Sequence, residues 1–212
     1  MKKAVLIITI LLSSLSIYAQ TGAGDDFESG SLSNWDIATN SSQYACSINT
    51  TTTPGNKQMY VTYTTAANNY SGFSYIFNPI NIEDAPVVSL KVRASSGKNF
   101  TMRIDLIDEN GLRTNQVDTK QSITGDNTSK DYLFDFTGKF QQLYPSNNGV
   151  PFNLDVTKIV RMEIMINPGA ASTSGWLLLD SVMIGTRAKS NITSGAKGIK
   201  INQLGFFING PK

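Results

Sequence analysis

Thr101-Met102-Arg103-Ile104-Asp105-Leu106 alternates polar and apolar residues without a break. A period of two sends successive side chains to opposite faces of an extended strand. Met102, Ile104 and Leu106 therefore turn towards a core, and Arg103 and Asp105 turn away from it. Ser89-Leu90-Lys91-Val92-Arg93-Ala94 and Val160-Arg161-Met162-Glu163-Ile164 read the same way. Further strands are expected at 44–50, 58–65, 72–77, 130–136 and 176–184, each bounded by Gly, Pro, Asn or Ser. Asp108-Glu109-Asn110-Gly111 reads as a tight reversal, because Asn-Gly tolerates the positive φ that such a turn needs. Helical spacing is missing, and β-branched residues and glycines interrupt every window. Eight or so short strands with loops between them make an all-β chain, an antiparallel β-sandwich.

Composition removes several function classes. The chain has one cysteine, Cys46, so no intrachain disulfide can form, and it reads as a small buried apolar residue. Histidine is absent, which excludes Ser-His-Asp and Cys-His machinery and any His-ligated zinc or iron. The formal net charge of +2 includes Lys2 and Lys3, and the remaining basic residues are scattered, so nucleic acid is not an expected partner.

Lys2 and Lys3, the apolar run Ala4 to Leu12 and the small-residue stretch ending in Ala19 have the order of a secretory signal peptide over 1–19. The apolar run is too short to span a bilayer. The mature protein is accordingly expected outside the cytoplasm, secreted or at the cell surface, as a monomer with no membrane span. Residues 20–186 suffice for one domain, which at that size buries roughly two-thirds of its unfolded surface. Residues 187–198, rich in Ser, Gly, Lys and Thr, read as a linker.

Two segments bracket the domain and carry a likeness. Asp25-Asp26-Phe27-Glu28-Ser29-Gly30-Ser31-Leu32-Ser33-Asn34-Trp35 resembles the Phe-Glu-x-Gly-x-x-x-x-Trp opening of jelly-roll carbohydrate-binding modules of the galactose-binding-like superfamily. Trp176-Leu177-Leu178-Leu179-Asp180-Ser181-Val182-Met183-Ile184-Gly185 resembles their closing strand. The tail over 199–212, with Asn202-Gln203-Leu204-Gly205-Phe206 and then Pro211-Lys212, resembles the start of the immunoglobulin-like domain that precedes the catalytic barrel in family 9 glycoside hydrolases. Together the resemblances imply a jelly roll that performs no catalysis itself. It would target an appended glycoside hydrolase, cellulase-like, to a plant β-glucan such as cellulose. They also imply a structural Ca²⁺ where the opening segment meets the closing strand. Its ligands would be Glu28 and Asp180, with Asp26 or Asp25 as a third carboxylate and carbonyls near Gly55 to Lys57 completing the shell.

The outward-facing residues are the candidate ligand set. Lys91 and Arg93, Arg103 and Asp105, and Arg161 and Glu163 share the side of their respective strands turned from the core, and the three strands could be neighbours in one sheet of a jelly roll. Guanidinium and carboxylate groups hydrogen-bond sugar hydroxyls, and Arg103, Asp105, Arg161 and Glu163 are the charged residues assigned to the ligand. Tyr63, Tyr70, Tyr75 and Tyr144 are the aromatics assigned to stack on a sugar ring. Trp35 reads as core, and Trp176 as core or sugar-facing. The same charges also suit any solvated sheet face, which leaves a competing reading: a structural or adhesion module with no sugar ligand. A third reading makes Asp105 and Glu163 a hydrolytic pair. No motif supports it, and the neighbouring arginines are expected to lower both carboxyl pKa values and oppose a general acid, so no catalytic residue is assigned.

Overall fold

The computed structural model describes residues 22–39, 44–53, 56–147, 150–166 and 171–185. The signal peptide, the linker, the tail, Gly55 and the side chain of Cys46 lie outside the described residues. Two antiparallel sheets form the sandwich. The first runs in the order β3 (Tyr44–Thr53), β4 (Asn56–Thr65), β13 (Thr173–Ile184), β6 (Val87–Ala94) and β9 (Ser129–Asp135). A short strand, β1 (Ala23–Asp25), pairs with the far end of β13. The second sheet runs β2 (Trp35–Thr39), β5 (Ser71–Ile80), β12 (Ile159–Ile166), β7 (Phe100–Asp108) and β8 (Lys120–Ile123). A separate hairpin joins β10 (Gln141–Asn147) to β11 (Val150–Asn153). Every expected strand is present, most of them longer by a few residues and the one expected at 130–136 shifted by one to Ser129–Asp135, and no helix occurs among the described residues. The elements not expected are β1, β2, β8 and the hairpin.

The alternation places the core as the period requires. Met102, Ile104 and Leu106 of β7 and Leu177 and Leu179 of β13 have no exposed surface. They meet Met162, Ile164 and Ile166 of β12 and Met59 and Val61 of β4 in one cluster. Each such side chain contributes about 1.5–3 kcal/mol when fully buried.

The opening motif closes one end of that core. Phe27 is fully buried and takes φ of 61°, an unusual value for a residue with a Cβ. Asp25 fixes this turn, accepting the Phe27 N–H on Oδ1 and the Trp35 indole N–H on Oδ2, both at 2.8 Å. Trp35 stacks on Tyr75 with ring centroids 4.8 Å apart, and the Tyr75 hydroxyl donates to the Gly24 carbonyl at 2.7 Å. Trp35 is therefore core, as its sequence position indicates. A Cβ at Gly24 would stand 2.4 Å from the Val182 carbonyl oxygen, so only glycine lets β1 approach β13 this closely.

At the end of β7 the expected reversal forms, with the Gly111 N–H donating to the Asp108 carbonyl at 3.0 Å and Gly111 at φ of 81°. Asp108, 1% exposed, organises the loop beyond it. Its Oδ1 accepts the N–H groups of Asn110 and Leu112, and its Oδ2 accepts that of Asp155, all at 2.9 Å. The loop after β7 is thereby tied to the segment that leads into β12. Asp108→Asn keeps the shape but turns an NH₂ towards one of these donors, and should cost about 2–3 kcal/mol of stability. A urea midpoint lowered at constant m is the expected result; an unchanged midpoint would show that the carboxylate holds nothing.

Candidate functional site

The register of the second sheet builds the site row by row on its outer face. In the central row Glu163 stands opposite Asp105 on one side and Ser74 on the other, with Asp36 beyond Ser74. One flanking row carries Gly72, Met165, Arg103 and Lys120. The other carries Ile76, Arg161, Ile107 and, through an isolated bridge, Arg113. Two carboxylates thus lie between rows that each bear guanidinium groups.

These groups are joined. Asp105 Oδ2 accepts from Arg103 Nη2 and from Arg113 Nη1, both at 3.2 Å. Arg113 Nη1 also reaches Glu163 Oε2 at 3.1 Å, and Arg161 Nη2 lies 3.4 Å from Glu163 Oε1. Asp105 has no exposed surface, whereas the Arg161 side chain is 38% exposed. Burial raises the Asp105 pKa above the ordinary carboxylate value, against the opposing pull of Arg103 and Arg113. The arginines were expected to lower it; they do pull that way, but desolvation outweighs them.

Arg113 is the residue that strand periodicity does not find. It sits in the loop after β7, where the bridge to Ile107 returns the chain alongside the sheet. Gln142 of β10 accepts the Arg113 backbone N–H at 3.0 Å. Gln116, three residues on, holds the same hairpin: its Oε1 accepts the N–H groups of Leu143 and Tyr144 at 3.1 Å, and its Nε2 donates to the Tyr144 carbonyl. The hairpin therefore forms a rim, and on it Tyr144 is 68% exposed.

Of the eight expected ligand contacts, the structure brings Arg103, Asp105, Arg161 and Glu163 together, with Tyr144 on the adjoining rim. Asp105 is corrected from contact to support, because it has no surface to offer a ligand. Tyr70 is half-buried in the loop before β5, next to Ser71, which pairs with Ile166 at one end of the face. Tyr63 and Tyr75 are corrected to core residues, 3% and 6% exposed. Tyr63 packs on Phe100 with centroids 5.3 Å apart, and burial pushes its phenol up to about 12. Both had inward parity within their strands, sharing it with Met59, Val61 and Phe73.

Glu28 and Asp180, far apart in sequence, converge on one short segment. Glu28 Oε1 accepts the Lys57 N–H at 3.0 Å, and the Lys57 ammonium donates to the Glu28 carbonyl at 2.8 Å. Asp180 Oδ2 accepts from Asn56 Nδ2 at 2.8 Å and from Gln58 Nε2 at 3.4 Å. Asp26 is exposed, and its Oδ1 accepts the Glu28 N–H at 3.1 Å. Among the described residues no group of three or more His, Cys, Asp or Glu is gathered closely enough to hold a metal. The donors at this clasp are nonetheless hard oxygens, the Glu28 carbonyl already draws a cation, and the Asn56 and Gln58 amides can each present oxygen instead of nitrogen.

A carboxyl group with a raised folded-state pKa contributes stability that is complete below its unfolded-state pKa and is lost as pH rises through the folded value. Asp105→Asn keeps the shape and removes the ionisation. Thermal melts from about pH 3.5 to pH 8 should therefore show the variant gaining on the parent chain as pH rises. A variant that loses ground to the parent chain as pH rises would reverse the direction assigned to Asp105.

No protein-family model and no curated protein matches the sequence. Solved structures do match the fold. The family 11 carbohydrate-binding module from Clostridium thermocellum, in complex with a β-1,3-1,4-mixed-linked tetrasaccharide, superposes with a TM-score of 0.57 at 20% identity, over 77% of this chain and 94% of that one. The family 11 module of a cellulosomal cellulase of Clostridium thermocellum gives 0.56 at 20% identity, over 76% and 91%. An exo-β-agarase gives 0.50 at 16% identity, over 77% of this chain but 25% of that one. The chain thus shares the β-sandwich fold of jelly-roll carbohydrate-binding modules.

Proposed function

We propose that this chain is a non-catalytic carbohydrate-binding module, secreted and monomeric, that holds a polysaccharide on the outer face of the second sheet. The observation that carries this reading is the row arrangement itself. Arg161 and Glu163 are held by their ion pair and Arg103 by its pair with Asp105, beside an exposed Tyr144, on a fold shared with solved carbohydrate-binding modules. Preset guanidinium and carboxylate groups lose little freedom when they take up sugar hydroxyls, and Tyr144 supplies a ring for the apolar side of a pyranose. The ligand we infer is a plant β-glucan such as cellulose or mixed-linkage glucan. The appended enzyme would be a cellulase-like glycoside hydrolase carried beyond the linker. Hydrolysis by this domain is not part of the reading, because Asp105 has no surface through which to reach a glycosidic oxygen.

Affinity electrophoresis in mixed-linkage β-glucan and depletion onto insoluble cellulose test the reading. The parent chain should be retarded or depleted, and Tyr144→Ala and Arg161→Ala should each weaken binding about tenfold. The competing structural role draws on the sealed Asp105, and it requires that neither variant matter. Absence of binding to every glucan would overturn the proposal.

We also propose that the clasp between Glu28, Asp180, Asn56 and Gln58 takes Ca²⁺, with Asp26 steadying Glu28 through its backbone N–H. The ion would supply positive charge that ties the opening segment to the closing strand. A chelator should then lower the Tm by about 4 °C or more, and Asp180→Asn should abolish the difference. Coincident melts with and without chelator would dismiss the ion.

A further inference from the structure

We propose that the outer face of the first sheet is a second saccharide site, one that takes a pyranose carrying a carboxylate or sulfate group. It is separate from the face assigned above and rests on its own residues. One row across this sheet carries Tyr60, Leu178, Arg93 and Ser129, and the next places Trp176 opposite Thr62. The Tyr60 and Trp176 rings lie 6.1 Å apart at 35°, and the Arg93 guanidinium carbon is 5.8 Å from the Trp176 ring centre. Leu178 is 7% exposed, so the aromatic and arginine groups lie over an apolar floor.

Charge selects the occupant. Lys91, in the adjoining row, stands between Asp180 and Asp131. Arg93 stands between Leu178 and Ser129, and among the described residues it forms no ion pair. It is oriented all the same: its Nε donates to Asn127 Oδ1 at 3.0 Å, and Asn127, at φ of 63°, is held by its own N–H to the Ala94 carbonyl at 3.0 Å. With Nε anchored, the two Nη groups remain as a fork that fits the oxygens of a carboxylate or sulfate. The flanking rings offer the apolar surface that the C–H face of a pyranose covers. A positive fork without a counter-ion, set beside aromatic rings, is complementary to an acidic sugar and gains nothing comparable from a neutral one.

The two tryptophans make the test direct. Trp35 is 6% exposed within the core, whereas Trp176 is half-buried at the proposed site, so a ligand there shifts the emission of Trp176. The probes are oligogalacturonate, oligomannuronate and a κ-carrageenan oligosaccharide, with a mixed-linkage glucan oligosaccharide as the uncharged arm. At least one acidic probe should shift the emission, and its affinity should fall about tenfold or more between about 20 mM and about 500 mM NaCl. Arg93→Gln should reduce that affinity comparably, whereas Tyr144→Ala should leave it unchanged. Silence with all three acidic probes, or a response to the neutral glucan alone that salt and Arg93→Gln do not alter, would overturn the second site. Retention of neutral glucan by Arg93→Gln, read by affinity electrophoresis, reports on the second-sheet face separately, so either proposal can fail without the other.

Discussion

A carboxylate without exposed surface stands in the middle of a sheet face that would otherwise meet water, and much of the surrounding architecture answers to it. Asp105 needs compensating charge, because a lone buried carboxylate costs several kcal/mol. Arg103 supplies part of it from two residues away on the same strand, and Arg113 supplies the rest from outside the strand. Arg113 reaches Asp105 only because its loop runs back beside β7, and that loop is held by Asp108 at its base and by Gln142 at the hairpin. The rim that presents Tyr144 is fastened to the same loop by Gln116. Neutralising one charge and shaping the proposed ligand face are therefore one structural task.

Legibility in the sequence followed the reach of the period-two rule. Alternation over 89–94, 101–106 and 160–164 was enough to find the central strands and to turn Arg103, Asp105, Arg161 and Glu163 away from the core, because side-chain parity survives any register that keeps the core buried. Parity does not assign strands to sheets, and Lys91 and Arg93, expected beside them, lie on β6 in the other sheet. Elements without room for alternation escaped it. β8 has four residues, β1 has three, and β10 contains Pro145. Tyr63 and Tyr75 could have been placed correctly, since each shares parity with apolar neighbours in its own strand; weighing them as ring-stacking residues overrode that signal. Arg113 could not, since its position depends on how an irregular loop pairs with Ile107. The direction of the Asp105 shift was equally hidden, because charge neighbours can be read from spacing whereas the loss of solvent cannot.

The two sheets cover their outer faces by different means. On β12 and β7 guanidinium groups engage carboxylates, giving a polar surface of fixed geometry. On β13 an apolar leucine sits beneath an arginine and two rings, a use of the long arginine side chain to shield hydrocarbon while its charge stays wet. The leucine- and isoleucine-rich core between them separates the two surfaces, so each can change without disturbing the other's charges.

The pairing of β1 with β13 has a mechanical consequence. Ala23 lies opposite Ile184, so the chain enters and leaves the described region side by side at one end of a three-residue antiparallel ladder. Tension applied through both flanks would load the hydrogen bonds of that ladder one after another, as a zipper is opened, instead of shearing them together. The first strand to peel away would carry Asp25 with it, freeing the indole of Trp35 and unlatching the plug formed by Phe27. A protein anchored to a solid by its faces and pulled by its ends would yield first at this seam.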